Sequence, residues 1–265
     1  MKRNERHPGN EGRTPRPATS ADCALIIFAK APVAGQVKTR LCPPLTADEA
    51  ATLQGSFILD TLECSRAAIQ KFRLPITRFL ACAPSSTHVF FQIMAERHGV
   101  QLLEQTGESL GERMHTAFIA LFAKGFTQVL IVGTDVPSLP LEHYQQAVEM
   151  LRAHELVLGP SWDGGYYLVG LTRPAPELFR DISWSTDQVL AQTRERAQQA
   201  GLRTSLLPVW RDVDTIEDLQ ALIEANRRDM KRPKQERVFS TRTGGALDVI
   251  AKRLRSRLQE SEATQ

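Results

Sequence analysis

Between Ala24 and Asn226 short apolar runs alternate with longer stretches of helical periodicity. The runs ALIIFA from Ala24, ITRFLACA from Ile76, VQLLEQ from Val100 and TQVLIVGTD from Thr127 predict four buried strands. ELVLGP and GYYLVGL predict a short pair around an Asp163-Gly164-Gly165 turn, and RTSLLPVW from Arg203 a last strand. Between them, helical periodicity predicts helices over 46–70, 87–98, about 111–125, 141–154, 186–200 and 215–226. Thr46 with Glu49, and Thr215 with Asp218, have the spacing of helix caps. Strands that alternate with helices imply an α/β fold with a mostly parallel central sheet covered by helices on both faces.

The pattern fails at both ends. Residues 1–22 are rich in Arg, Gly, Pro and Ser/Thr and are expected to form a disordered leader before a domain over 23–226. Residues 227–245 read as a charged linker. Beyond it Leu247, Ile250, Leu254 and Leu258 fall at helical spacing with basic residues opposite, an amphipathic helix able to lie on a membrane or a partner, or to fold back on its own domain or a sister subunit. Folding back is the expectation, and a homodimer stays open.

Composition narrows the class without naming a chemistry. The 265 residues suit one sizeable core, and 42% hydrophobic with 24% charged residues is ordinary for a globular chain. The net charge of +3 is concentrated in the tails, with no interleaved aromatic platform, so no nucleic-acid partner is expected. Cys23, Cys42, Cys64 and Cys82 are widely spaced and suit reduced thiols. No apolar run approaches the length of a membrane span and the leader lacks an apolar signal segment, so the expected location is the cytoplasm.

In an open parallel sheet, ligands gather at the carboxyl ends of the strands. The loop after the first strand, AKAPVAGQVKTRL, holds Lys30, Gly35, Lys38, Thr39 and Arg40. A glycine that permits close backbone approach, stiffening prolines and several cations suit a phosphate-bearing ligand, although a solvated basic turn explains the spacing equally well. Neither a Walker loop nor a G-x-G-x-x-G loop is present.

After the fourth strand, GTDVPSL leaves Asp135 just beyond the sheet, and DVDTIEDL offers Asp212 and Asp214 after the last. Magnesium takes one or two carboxylates plus substrate phosphates, while an Asp capping a helix is the common alternative for Asp135. GPSWDGGYYLVG places Asp163, Gly164 and Gly165 beside Trp162, Tyr166 and Tyr167: an acceptor loop or only a hairpin turn. Trp184 precedes a helix as a staple or a binding residue. Gly107, Gly111 and Arg113 stand at a loop-to-helix junction suited to a nucleotide or to capping.

Taken in order, FAKAPVAGQVKTRL, LGERM, VGTDVPSL, GPSWDGGYYLVGL, WST and DVDTIEDL resemble a bacterial family of GT-A-type glycosyltransferase-like proteins, some of them assigned to arsenosugar biosynthesis. The resemblance covers about 24–226. The first loop and DVDTIEDL are also similar to 2-phospholactate guanylyltransferase, molybdenum cofactor guanylyltransferase and sugar-nucleotide cytidylyltransferases. The resemblance implies a nucleotide-diphosphate-sugar transferase (GT-A, Rossmann-like) fold, Lys38 and Arg40 on phosphates, Gly35 shaping the loop, and Mg2+ or Mn2+ on Asp135 and Asp214. The AKAPVA run departs from the glycine-rich loop with which nucleotide-transferring relatives often begin.

The reaction expected is glycosyl transfer from a nucleotide sugar to a small-molecule acceptor, with Lys38 and Asp163 as the catalytic candidates. The aromatic rings around Asp163 favour a sugar or polyol acceptor. Nucleotidyl transfer from a nucleoside triphosphate would use the same metal and phosphate contacts, and a non-catalytic nucleotide-binding module is a third reading.

Overall fold

The computed structural model of the chain describes residues 23–233 and 237–263. The expected leader over 1–22 lies outside the described residues. Seven strands form one sheet: β1 (Cys23–Lys30), β2 (Ile76–Ala83), β3 (Gln101–Glu104), β4 (Gln128–Gly133), β5 (Leu156–Pro160), β6 (Tyr166–Leu171) and β7 (Thr204–Leu206). Seven helices accompany them: α1 (Ala47–Phe72), α2 (Val89–His98), α3 (Leu110–Ala123), α4 (Leu141–Met150), α5 (Val189–Gln199), α6 (Ile216–Asp229) and α7 (Thr241–Ala263).

The order across the sheet is β3-β2-β1-β4-β6-β5-β7. Only β6 runs antiparallel to its neighbours, because a tight turn over 161–165 returns the chain beside β5 with no crossover helix. Alternation along β1 divides the core: Cys23, Leu25 and Ile27 pack on one face under α1, α2 and α4, and Ala24 and Ile26 on the other under α3 and α5. Both faces of the sheet are therefore covered, as an apolar, mostly parallel sheet requires.

Local chemistry sets most helix starts. Thr46 and Glu49 close a reciprocal capping box on α1, and Thr215 and Asp218 one on α6. Helix α5 begins at Val189 rather than at Thr186, because Ser185 takes a left-handed backbone (φ 64°) and the Thr186 hydroxyl donates to the Ser183 carbonyl. The last strand is only three residues long, since Pro208 cannot donate to a ladder, although Leu207 N–H and Trp210 N–H still donate to Leu158 O and Pro160 O of β5. Helix α6 runs past Asn226 to Asp229, and α7 begins at Thr241, inside the stretch expected to be linker.

A third cluster lies beside the sheet. Leu247, Ile250 and Ala251 of α7 pack with α1 and α6 and with Leu41, Leu45 and Val213. The C-terminal helix thus folds back on its own chain. The side chain of Leu258 lies outside the described residues.

Candidate active site

The chain leaves β1 toward β2 and β3 on one side and reaches β4 on the other, so the β1/β4 gap is the topological switch point where ligands of such sheets bind. In register, Lys30 pairs with Ala83 and Gly133 with Phe28, while β6 starts beside the end of β4. The loops after β1, β4 and β5 and the 207–215 segment therefore meet at one edge of the sheet. A cleft of about 660 Å³ opens there.

Lys38 stands across the switch point. Its Nζ lies 2.7 Å from Asp135 Oδ1 and 3.0 Å from Asp214 Oδ1, and donates to the Val213 carbonyl at 2.6 Å. The side chain is 5% exposed, and the residue takes a left-handed backbone (φ 49°). Outside glycine that conformation persists only where surrounding contacts over-determine it. Burial by itself pulls the Lys38 ammonium pKa down, but Asp135 and then Asp214 outweigh it and hold the value above the ordinary one. Lys38 is a fixed cation.

The acidic segment is held by its backbone. Val213 N–H donates to the Asp135 carbonyl at 3.0 Å, and Asp214 N–H to Asp218 at 3.3 Å. Upstream, Trp210 N–H donates to Pro160 O and its indole to Ser138, while the Tyr167 hydroxyl donates to Pro208 O and lies 2.9 Å from His143 Nδ1. The Tyr167 hydroxyl thus anchors the 207–214 segment, while the residue also lines the cleft.

Three carboxylates converge on the cleft. Asp163, Asp212 and Asp214 each place an oxygen within 4.8 Å of the others. Burial, followed by repulsion from Asp163, Asp214 and Asp135, pushes the Asp212 carboxyl up to about 7. Excess negative charge on hard oxygen donors is the setting that suits Mg2+ or Mn2+. The sequence expectation placed one ion between Asp135 and Asp214. Those two side chains instead meet around the Lys38 ammonium, and Asp163 and Asp212 supply the oxygens that gather with Asp214. No spacing rule joins Asp163 to Asp212; only the fold of the β5–β6 turn over the last loop does.

Lys30, Lys38, Thr39, Arg40, Arg113, Asp135, Asp163, Gly165, Tyr166, Trp184 and Asp214 all line the cleft. Lys30 turns back to donate to the Gln36 carbonyl at 2.8 Å, and Arg113 to Gly107 O at 2.9 Å. Gly35, Gly107, Gly111, Trp162 and Gly164 do not form its wall. Gly35 supplies a turn (φ 76°) within the first loop. At Gly107 (φ 137°) an added Cβ would meet Glu112 at 2.7 Å, and at Gly164 (φ 85°) the Asp187 carbonyl at 2.2 Å, so both backbone conformation and close packing require glycine there. Trp162 is 65% exposed, with the Arg211 guanidinium 4.3 Å from its ring centroid.

Gly111 serves the cleft indirectly. A Cβ there would lie 2.7 Å from Trp184 Cζ2 and 2.9 Å from the Phe179 carbonyl. Gly111→Ala is expected to cost about 1–3 kcal/mol by overpacking, read as a lower denaturant midpoint, with a change in indole emission as Trp184 is pushed toward the cleft. Residues that sequence reasoning missed include Ser185, a strained lining residue, and Gln105, whose amide donates to the Ala29 and Ala81 carbonyls at 3.1 and 2.9 Å. Neither carries a sequence signal.

A mostly parallel seven-stranded sheet, with cationic and acidic loops facing each other over its switch point, defines an α/β protein of the nucleotide-diphospho-sugar transferase fold. Residues 68–186 match the family described as "Uncharacterized protein conserved in bacteria (DUF2064)". A protein of Desulfovibrio desulfuricans G20, described as a "putative nucleotide-diphospho-sugar transferase", is 31% identical, with a TM-score of 0.76 over 88% of this chain and 97% of its own. The chain belongs to the same GT-A-like family as that protein. Weaker likeness extends to CMP:2-keto-3-deoxy-manno-octonic acid synthetase complexed with CTP (12% identity, TM-score 0.48, 77% of this chain and 98% of that one). A cytidylyltransferase of Leptospira borgpetersenii matches similarly (13%, 0.49, 89% and 95%). No curated protein matches this sequence. Among the described residues no helix is long and apolar enough to cross a membrane.

Proposed function

We propose that the cleft binds a nucleotide sugar through its diphosphate and transfers the sugar to a small-molecule acceptor. The observation that carries this reading is the Lys38 ammonium fixed between Asp135 and Asp214 at the switch point, beside the Asp163, Asp212 and Asp214 oxygens. The donor set fits a divalent ion, which when bound supplies positive charge against a leaving diphosphate. Asp163, Asp212 and Asp214 would hold it. Lys38 and Arg40 add cationic groups on the same wall, preorganised for charge that grows as the bond to the diphosphate breaks.

In this reading Asp163, a catalytic candidate from the sequence, acts as an ion ligand. Its Oδ1 also accepts the Gly165 N–H at 2.9 Å, which fixes the carboxylate within the turn. Tyr166, Trp184 and Ser185 line the cleft for the acceptor.

One observation favours a second reading. The aromatic cluster that pointed to a polyol acceptor is only partly offered to the cleft: Trp162 lies outside its wall, and Tyr167, which lines it, is largely buried with its hydroxyl engaged by His143 and Pro208. Nucleotidyl transfer from a triphosphate, with pyrophosphate leaving, uses the same cations. Incubating the full chain with Mg2+ or Mn2+ and UDP-, GDP- or TDP-sugars beside the free triphosphates separates the two. Release of nucleoside diphosphate from a sugar donor is expected; pyrophosphate release with the sugar donors left intact would replace glycosyl by nucleotidyl transfer. Tight nucleotide binding without metal-dependent turnover would mark a non-catalytic module.

A further inference from the structure

Helix α7 lies on the far side of the loop that carries Lys38, and its contacts with that loop are specific. Arg253 pairs with both oxygens of Glu49, Nε to Oε1 at 2.5 Å and Nη2 to Oε2 at 2.6 Å, and Nη2 also donates to the Pro44 carbonyl at 3.1 Å. Glu49 is the capping-box residue that closes the start of α1 on Thr46, so one guanidinium ties the end of the Lys38 loop to the helix that follows it. Leu247 and Ile250, one to two turns earlier on α7, pack in one cluster with Leu41 and Leu45 of that loop and with Val213, the residue between Asp212 and Asp214. The same face of α7 thus shares one apolar cluster with both segments whose side chains meet at Lys38.

Stability alone does not account for this arrangement. The Arg253 side chain is 24% exposed, and its Nη1 is buried with no hydrogen-bond partner among the described residues. A part-buried ion pair that leaves a donor unsatisfied adds little net stability over apolar packing. What it does add is a fixed geometry. Misplacing a phosphate-gripping cation by about 1 Å can cost about 100-fold in rate.

We propose that Arg253 is a positioning residue: through Glu49 and Pro44 it holds the 38–46 loop, and with it Lys38, in the conformation that receives a diphosphate. This rests on the reading of the cleft as a diphosphate site. Arg242 provides the comparison. It anchors the same helix through Asp60 and Glu63, both at 2.9 Å, in the middle of α1 and away from the loop.

Two measurements on the full chain test the proposal. Hydrogen exchange of the 38–46 amides is expected to quicken about tenfold in Arg253→Ala and in the milder Glu49→Gln, and to stay within about twofold of wild type in Arg242→Ala. Calorimetric titration with inorganic pyrophosphate in Mn2+ is expected to show about tenfold weaker binding in the first two variants and little change in the third. Unchanged loop exchange in Arg253→Ala, or an equal response to Arg242→Ala, would overturn the proposal. So would a loosened loop with unaltered pyrophosphate affinity, provided Lys38→Ala weakens binding. If Lys38→Ala also binds pyrophosphate normally, the diphosphate reading fails, while the exchange result still decides whether Arg253 holds the loop.

Discussion

Lys38→Met is expected to lower metal-dependent turnover by about 100-fold or more, the scale of losing a preorganised charge stabiliser, with a smaller effect on folding. The ammonium lies 2.7 and 3.0 Å from Asp135 and Asp214, so its removal leaves two carboxylates facing each other with no cation between them. Breaking a fully buried pair costs about 3–5 kcal/mol. Here the carboxylate side chains are 40% and 36% exposed toward the cleft. Water screens them, and about 2 kcal/mol is the more reasonable loss. Steady-state assays and chemical denaturation measure the two effects separately. Mn2+ should then raise the melting temperature of the variant more than that of wild type, because the uncompensated pair is a new cation site. A variant with wild-type turnover would remove Lys38 from the chemistry.

The second large effect concerns Asp212. Its carboxyl is pushed up to about 7 in the folded protein from an ordinary 3.8, first by burial and then by Asp163 and Asp214. Between those values the folded chain binds more protons than the unfolded one. The stabilising contribution of the proton is therefore complete below 3.8 and is lost as pH rises through about 7. In EDTA the melting temperature should decline between pH 3.8 and about pH 7 and level off above that. Asp212→Asn should flatten that decline and leave the metal-free protein more stable at the alkaline end. Mn2+ should oppose the decline in wild type and release about half a proton per ion near pH 7, detectable as buffer-dependent binding heat. The same substitution should reduce turnover by about 100-fold. A pH-independent melting curve in wild type would contradict the crowded-carboxylate picture, and unchanged turnover in the variant would remove Asp212 from the ion site.

The thiols fit a different, quieter role. Burial pushes Cys23 and Cys82 up to about 12 and Cys64 to about 11, so these sulfurs are protonated packing groups and not nucleophiles.

Much of the architecture is written in local periodicity. Period-two alternation in Cys23–Ile27 assigns successive residues to opposite faces of the sheet, and the capping pairs Thr46/Glu49 and Thr215/Asp218 set helix starts wherever the chain happens to lie. The Asp163-Gly164 turn is likewise a local matter, since Gly164 takes φ 85°. Start and stop signals were less legible where tertiary contacts overrode them. Helix α5 starts late because Ser185 is held left-handed against the cleft, and α7 starts early because Arg242 and Thr243 find Asp60 on α1. The antiparallel insertion of β6 follows from the tight 161–165 turn once β5 and β6 are paired, but its place beside β4 does not.

From its residues alone, this chain determined an α/β sheet, helices on both faces, a cationic loop after β1 and acidic loops after β4 and β7, because each depends on neighbours within a turn or a strand. Only the tertiary structure decided that Lys38 sits between Asp135 and Asp214, that Asp163 joins Asp212 and Asp214, and that α7 braces the loop through Arg253. Those pairings join residues far apart in the chain. They depend on strand order and on which loops cross the switch point, and those follow from how the whole core packs rather than from any local pattern.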